Sequence, residues 1–236
     1  MTPLPLISRP PGTGWLALLG GGEFSFGETE EADRAWLART PRGPVGFLPT
    51  ASGSADYGQH FSAYLAQVHA REVEVIPVYR HRDAVRGKNA ERVAAMSALY
   101  LGGGVTDHLL ETLPGTPVAE ALLARLAAGG TVVAMAAAAQ AVGKVARSLL
   151  TRAVVPGLGW LADGVLEPNF DPGHDRRLRQ LMTAPGVRWG IGLPAGSALL
   201  VGPEGKLAGV GPCLHLGDAD ADLDLLGSEE LEPWEL

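Results

Sequence analysis

The residues best suited to chemistry lie in turns that follow short apolar segments of the sequence. Two of these turns are glycine triplets, at 20–22 and 102–104. Glycine lets the backbone approach a ligand closely and aim N–H groups at a negatively charged oxygen. Glu23, Thr50 and Ser52 add polar side chains in or beside turns of the same kind. These turns predict a cleft for a polar ligand, although a glycine triplet also serves tight packing.

A further turn has the layout of a catalytic turn but lacks a reactive atom. The apolar segment 131–134 leads into Met135 and an alanine run at 136–139. A strand, a tight turn and a helix built from small residues is how many α/β hydrolases present a nucleophilic serine. No side chain in 134–139 carries a hydroxyl or a thiol, so we expect no nucleophilic catalysis from this turn. By itself, the run is equally explained as a good helix former in a tightly packed place.

His174 is the most interesting candidate for an alternative catalytic group. Asp171 and Asp175 stand beside it, and a histidine with a carboxylate suits a displaced general base or part of a metal site. The plainer interpretation is that Asp171 or His174 caps a helix on a surface loop. The other histidines show no ligand spacing, so we predict neither a metal nor a cofactor.

Three other kinds of side chain have a functional and a structural interpretation. Ser52 and Ser54 offer hydroxyls at a predicted strand end, but loop and cap serines explain them equally. Cys213 is a potential nucleophile that is typical of a small buried hydrophobic residue. Glu23 suits either a cationic ligand group or a simple role in its turn.

The elements that position these turns alternate between strand and helix. Five short apolar segments predict strands, at 15–19, 45–49, 73–78, 98–101 and 131–134. Helices are predicted near 30–39, around 57–68, near 90–95, on both sides of 114–117 and near 175–182. This order implies crossover connections, and therefore a mostly parallel central sheet with helices on both faces. Ligands bind such sheets at the carboxyl ends of the strands.

The chain beyond residue 154 has a different pattern. Short apolar pieces between glycines and prolines predict extra, partly antiparallel strands near 164–166, 188–191, 198–201, 206–210 and 213–216. We find no linker that marks a domain boundary. The sequence therefore predicts one α/β domain over 1–236, with an extended arm at 1–13 and an acidic, solvated tail at 218–236.

Composition excludes several classes of function. The 236 residues carry a formal net charge of −7, which argues against a surface for nucleic acid or anionic membrane. One cysteine excludes an internal disulfide framework. The proline-rich start lacks the pattern of a signal peptide, and no apolar segment is long enough to span a membrane. We therefore expect a cytoplasmic protein.

Taken in order, the turns resemble those of the cyanophycinase and aspartyl-dipeptidase family of serine peptidases. The resemblance covers residues 16–201 and rests on Gly20-Gly21-Gly22-Glu23 (L-x-G-G-G-E), Pro49-Thr50-Ala51-Ser52 (P-T-A-S), Leu101-Gly102-Gly103-Gly104 (G-G-x-Q), Gly129-Gly130-Thr131-Val132-Val133 before the elbow G-T-S-A-G-A, and Gly190-Ile191-Gly192 with Ser197-Ala198-Leu199 (G-I-G-I-D-E-x-T-A-L). It implies a class-I glutamine-amidotransferase-like, flavodoxin-like three-layer fold. It also implies a homodimer.

The same resemblance places other residues at the family's catalytic positions. The elbow serine falls on Ala136, and the histidine of the D-Q-H-F motif falls on Asn169. The two carboxylates of the I-D-E motif fall on Pro194 and Ala195, and the glutamine of the G-G-x-Q turn has no counterpart. An alanine cannot attack a carbonyl, and an amide cannot accept a proton near neutral pH. The resemblance therefore implies a family member without the family's catalytic machinery.

These observations predict a non-catalytic homologue whose former active-site cleft binds a small molecule, a peptide or a protein partner. The candidate lining residues are Gly21, Gly22, Glu23, Thr50, Ser52, Gly103, Gly104, Met135, Ala136, Asn169 and His174. Two alternatives stay open. One is an active hydrolase that uses a displaced group such as His174, and the other is a structural subunit of a homo- or hetero-oligomer.

Overall fold

A seven-stranded sheet forms the centre of the molecule in the computed structural model, which describes residues 7–226. The strand order is β11-β10-β1-β5-β4-β2-β3. The strands of this sheet are β1 (Trp15–Leu19), β2 (Val45–Leu48), β3 (Val73–Val75), β4 (Ala98–Leu101), β5 (Thr131–Met135), β10 (Ala198–Val201) and β11 (Leu207–Val210). Strands β1 to β5 run parallel to their neighbours among these five, and β10 joins β1 antiparallel. The predicted mostly parallel sheet with antiparallel additions is confirmed.

Helices follow the parallel strands in the predicted alternation. They are α1 (Glu30–Ala38), α2 (Ala55–His69), α3 (His81–Ala84), α4 (Gly87–Ala95), α5 (Thr106–Thr112), α6 (Pro117–Ala127), α7 (Ala137–Ala141) and α8 (Arg176–Met182). Local chemistry explains where several begin. Ser54 caps α2 by accepting from Tyr57 N, and Thr116 caps α6 by accepting from Ala119 N.

The remaining strands form a second sheet and a hairpin. Strands β8 (Gly164–Pro168), β9 (Trp189–Leu193), β12 (Leu214–Leu216) and β13 (Asp224–Leu225) form a sheet of order β13-β12-β9-β8. Strands β6 (Val145–Arg147) and β7 (Val154–Pro156) form an antiparallel pair. Because β8 leads into Asn169 and β9 leads into Pro194, this second sheet delivers two candidate positions to the edge of the first.

Both faces of the central sheet are buried, which explains the unbroken apolar segments of its strands. On one face Leu16, Leu18 and Val132 join a cluster with α4 to α7. On the other face Ala17 and Val133 join a cluster with α1 and α2. A strand covered on both faces requires apolar residues at successive positions rather than at alternate ones. The predicted helices on both faces are therefore confirmed.

The structure differs from the sequence-based expectation mainly in short elements. The third strand ends at Val75, before Pro77, rather than at 78. Part of the predicted solvated tail is paired, because Asp224–Leu225 adds to β12 and Leu226 N donates to Cys213 O. In the predicted N-terminal arm, 7–13 contain neither helix nor strand. Residues 1–6 of the arm and 227–236 of the tail lie outside the described residues.

Within 7–226, no helix is long and apolar enough to cross a membrane. The same residues contain no group of three or more histidine, cysteine, aspartate or glutamate side chains arranged to hold a metal ion.

Candidate functional site

The turn after β5 has an unusual backbone at Ala136. Its φ is 48° and its ψ is −106°, a combination that a residue with a Cβ adopts only under strain. The N–H of Ala136 donates to Leu19 O at 2.9 Å, and its carbonyl accepts from Gln140 N at 3.0 Å. The turn is thus tied to β1 on one side and to α7 on the other. This is a sharp strand-to-helix turn of the kind that presents a nucleophile, with a side chain that ends at Cβ.

The glycine turn after β4 lies directly beside Ala136. A Cβ added to Gly103 would stand 3.5 Å from Cβ of Ala136. Gly104 has a φ of +148° and packs so closely on Ala51 that a Cβ there would collide with the Ala51 carbonyl. The N–H of Val105 then donates to Ala51 O at 2.9 Å. The P-T-A-S turn therefore supports the glycine turn that forms one wall of the cleft.

Tyr57 reaches the same wall, although the sequence pattern placed it only among the apolar residues of α2. Burial raises the pKa of its phenol to about 12, the negative charge of Glu23 raises it further, and the backbone amide of Gly103 opposes the rise. The phenol thus lies between the turn after β1 and the turn after β4, and it stays a neutral hydroxyl near pH 7. Its position in the first helical turn after the P-T-A-S turn was the available signal.

Asn169 closes the cleft on the side of the second sheet. Its N–H donates to Gly20 O at 2.6 Å, and its φ is 48°. A Cβ on Gly21 would collide with Oδ1 of Asn169, so only glycine fits at 21 opposite this side chain. Asn169 is exposed. The structure therefore brings Gly21, Gly103, Ala136 and Asn169 around the carboxyl ends of β1, β4 and β5.

Pro194 and Ala195 lie in the turn between β9 and β10, against the first glycine turn. The N–H of Gly196 donates to Gly21 O at 3.0 Å, and the N–H of Gly20 donates to Ser197 O at 2.9 Å. Neither Pro194 nor Ala195 offers a carboxylate at this place. The turn supports the backbone of 20–22 and adds no ionisable group to the cleft.

Several other candidates have polar groups that are occupied by the protein itself. Thr50 is fully buried and its Oγ1 donates to Val78 O at 2.7 Å. Oγ of Ser52 donates to Pro49 O at 3.1 Å, and Ser54 caps α2. The Glu23 carboxylate accepts from Oγ of Ser25 at 3.0 Å. These contacts match the structural interpretation of each residue, and Glu23 alone keeps an exposed carboxylate beside the glycine turn.

Two further candidates lie at the extremes of exposure. Met135 is the last residue of β5 and is buried beneath the turn. The side chain of His174 is 85% exposed, and its Nδ1 lies 2.6 Å from Oδ2 of Asp171. That contact lowers the pKa of the Asp171 carboxyl. Asp175 does not join this pair, because it binds Arg179 at 2.7 Å.

A buried polar network under the elbow was missed by the sequence analysis. Oε2 of Glu167 accepts from Nε2 of Gln140 at 2.9 Å, and Oε1 lies 3.8 Å from Nη1 of Arg177. Burial raises the pKa of the Glu167 carboxyl, whereas Arg177, Arg147 and Gln140 lower it. Oε1 of Gln140 accepts from Arg147 N at 3.2 Å. The network fixes α7 relative to β8, and hence the elbow relative to Asn169.

Comparison with known proteins agrees with this architecture. The sequence profile of peptidase family S51 matches residues 16–207, so the chain belongs to peptidase family S51. The fold is similar to that of a peptidase from an acI-B1 Actinobacterium, with a TM-score of 0.73 at 20% identity, covering 92% of this chain and 96% of the other. It is also similar to a putative peptidase E protein from Listeria monocytogenes EGD-e, with a TM-score of 0.61 at 16% identity, covering 84% and 98%. No curated protein matches the sequence significantly.

Proposed function

We propose that this protein is a non-catalytic member of peptidase family S51 that binds a small carboxylate- or amide-bearing ligand in the cleft around Ala136. The observation that carries the proposal is the turn at Ala136, which keeps the strained backbone of a nucleophile elbow and has no atom beyond Cβ. A strained backbone persists only where its surroundings enforce it. Here the enforcing contacts come from Leu19 and Gln140.

The neighbouring groups support binding rather than bond cleavage. Asn169 offers an amide that donates and accepts hydrogen bonds but does not take up a proton near neutral pH. Tyr57 supplies a neutral hydroxyl. Ala137 opens α7, so its N–H has no acceptor within the helix and is available to an oxygen of a ligand. Together these groups suit a carboxylate or a peptide carbonyl.

Calorimetric titration of the full chain with aspartyl dipeptides and free amino acids tests binding. We expect at least one of these ligands to bind, and Asn169→Asp to weaken it about tenfold, since a second negative charge opposes the carboxylate. Gln180→Glu adds the same charge at an exposed position on α8 and should leave the affinity unchanged. Equal weakening in both variants would argue against the cleft as the site.

Hydrolysis assays with aspartyl dipeptides, β-aspartyl-arginine polymer and simple esters test the absence of catalysis. We expect no turnover and no reaction with a serine-directed fluorophosphonate. Turnover that disappears in His174→Ala would overturn the proposal in favour of a hydrolase built on the His174–Asp171 pair. Absence of any ligand-induced shift in melting temperature, together with a stable dimer by light scattering, would favour a structural subunit instead.

A further inference from the structure

A second cavity, of about 880 Å³, lies between the start of α3 and the helix α5. Arg80, His81 and Arg82 line it from one side, and His108 and Glu111 line it from the other. We propose that this cavity binds a small molecule that carries a phosphomonoester group. The proposal is independent of the function proposed above, because the cavity shares no lining residue with the cleft around Ala136.

The two arginines supply positive charge that the protein does not use. Arg80 and Arg82 are both exposed, and neither guanidinium belongs to any of the ion pairs within 7–226. A guanidinium presents its N–H groups in a fixed fork that matches the oxygens of a phosphate. In a chain of net charge −7, two unpaired arginines in one cavity mark a local site for an anion.

The buried carboxylate of the lining does not cancel this charge. Oδ2 of Asp83 accepts from the N–H groups of Tyr79 at 3.3 Å and of Arg80 at 3.2 Å. Its Oδ1 lies 3.6 Å from Nη1 of Arg86, which stands outside the cavity lining. Asp83 thus serves the turn that begins α3. Glu111 is the carboxylate that remains, and it is exposed at the rim.

The two histidines favour phosphate over other anions. Nδ1 of His108 lies 3.0 Å from Ala51 O, and Nδ1 of His81 lies 3.2 Å from Thr112 O. A carbonyl oxygen only accepts, so each Nδ1 carries a hydrogen and each Nε2 is left for a ligand. A neutral Nε2 accepts a hydrogen bond and a protonated one donates. A phosphomonoester, whose second proton leaves near pH 6, meets either state, because it both accepts and donates.

The size of the cavity indicates the rest of the ligand. Ligand pockets of proteins span roughly 300–1,000 Å³, and a volume of about 880 Å³ exceeds what a phosphate ion fills. Tyr79 and Thr112 add an aromatic ring and a hydroxyl to the lining. The site therefore suits a phosphate attached to a small organic group.

Calorimetric titration of the full chain with glycerol 3-phosphate tests the proposal, with succinate as the comparison ligand. We expect glycerol 3-phosphate to bind at least tenfold more tightly than succinate. Arg80→Gln and Arg82→Gln should each weaken it about tenfold or more, because each removes a charge-assisted contact. Glu111→Gln should tighten binding several-fold by removing the competing carboxylate.

Arg176→Gln is the matched control, since Arg176 is an exposed arginine at the start of α8, outside the cavity. It should bind like the unmodified protein, and equal melting temperatures would show that all variants are folded. The proposal is overturned if glycerol 3-phosphate does not bind at about millimolar concentration. It is equally overturned if succinate binds as tightly, or if the Arg80 and Arg82 variants behave like the control.

Discussion

Nε2 of Gln140 donates a hydrogen bond of 2.9 Å to Oε2 of Glu167, and this contact joins α7 to β8 below the elbow. The donor belongs to the helix that begins at the turn of Ala136, and the acceptor lies two residues before Asn169. The relative placement of Ala136 and Asn169 therefore depends on a buried carboxylate that contacts neither of them.

Replacement of that carboxylate should change how stability depends on pH. Burial raises the pKa of Glu167 above its ordinary value of 4.5, so the unfolded chain ionises first as the pH rises. The contribution of Glu167 to stability is complete below pH 4.5 and is lost as the pH passes the raised pKa. The free energy of unfolding of Glu167→Gln should therefore increase relative to that of the unmodified protein from pH 4 to pH 8. Urea titrations at several pH values measure this difference, and a constant difference would contradict the prediction.

Two adjacent glycines of the cleft should respond oppositely to alanine. Gly104→Ala places a Cβ into the carbonyl of Ala51 at a φ of +148°, and we expect a loss of about 2 kcal/mol or more. Gly103→Ala meets Cβ of Ala136 at 3.5 Å, an ordinary contact, and should change stability by less than about 1 kcal/mol. Chemical denaturation of both variants makes the comparison, and similar losses would argue against the described packing of this turn.

Ala136→Gly should relieve backbone strain. Glycine tolerates a φ of 48° that costs alanine about 1–3 kcal/mol, while its greater freedom in the unfolded chain costs about 0.4–1 kcal/mol. We expect a net gain near 1 kcal/mol. Ala138→Gly, inside α7 and fully buried, is the control and should lose about 1 kcal/mol. A loss of stability in both variants would show that Ala136 carries no strain.

Asp33 should be among the most sensitive polar residues of the chain. It is fully buried in α1 and accepts from Oγ1 of Thr29 at 2.8 Å, from Nε1 of Trp36 at 2.8 Å and from the hydroxyl of Tyr64 at 2.9 Å. Asp33→Ala leaves these donors without an acceptor, and we expect a loss of about 3 kcal/mol or more.

Glu31→Ala is the control for Asp33, because it removes an exposed carboxylate from the first turn of the same helix. It should lose only about 0.3–1 kcal/mol, the usual value of a negative charge at a helix N-terminus. Thermal unfolding monitored by circular dichroism compares the two variants. Equal losses would mean that the buried hydrogen bonds of Asp33 contribute little.

The sheet was predictable because its strands are buried on both faces and appear in the sequence as unbroken apolar segments. Ala98–Leu101 and Ala198–Val201 have the predicted bounds. The hairpin of β6 and β7 was not predictable, because its strands have three residues each and are partly exposed. Helix α3 has four residues and begins through Asp83, whose carboxylate binds backbone N–H groups that sequence periodicity does not reveal.

The candidate site was predictable where a turn directly follows a strand. The residues at 21, 103 and 136 stand at carboxyl ends of parallel strands, and Asn169 follows a strand of the second sheet. Tyr57 could not be assigned from its spacing, because its ring belongs to the apolar side of α2 while its hydroxyl reaches Gly103. The link between Gln140 and Glu167 joins residues 27 positions apart in sequence, and it depends on how the two sheets pack.

The backbone at Ala136 is held by Leu19 and Gln140 and not by its own side chain. Position 136 is therefore a mounting point, at which different side chains can be displayed from one fixed place. A cysteine introduced there would be presented from a tight turn at the mouth of the cleft. The native thiol, Cys213, is 1% exposed and burial raises its pKa to about 12. A thiol-directed probe would consequently label the introduced residue selectively and report on what enters the cleft.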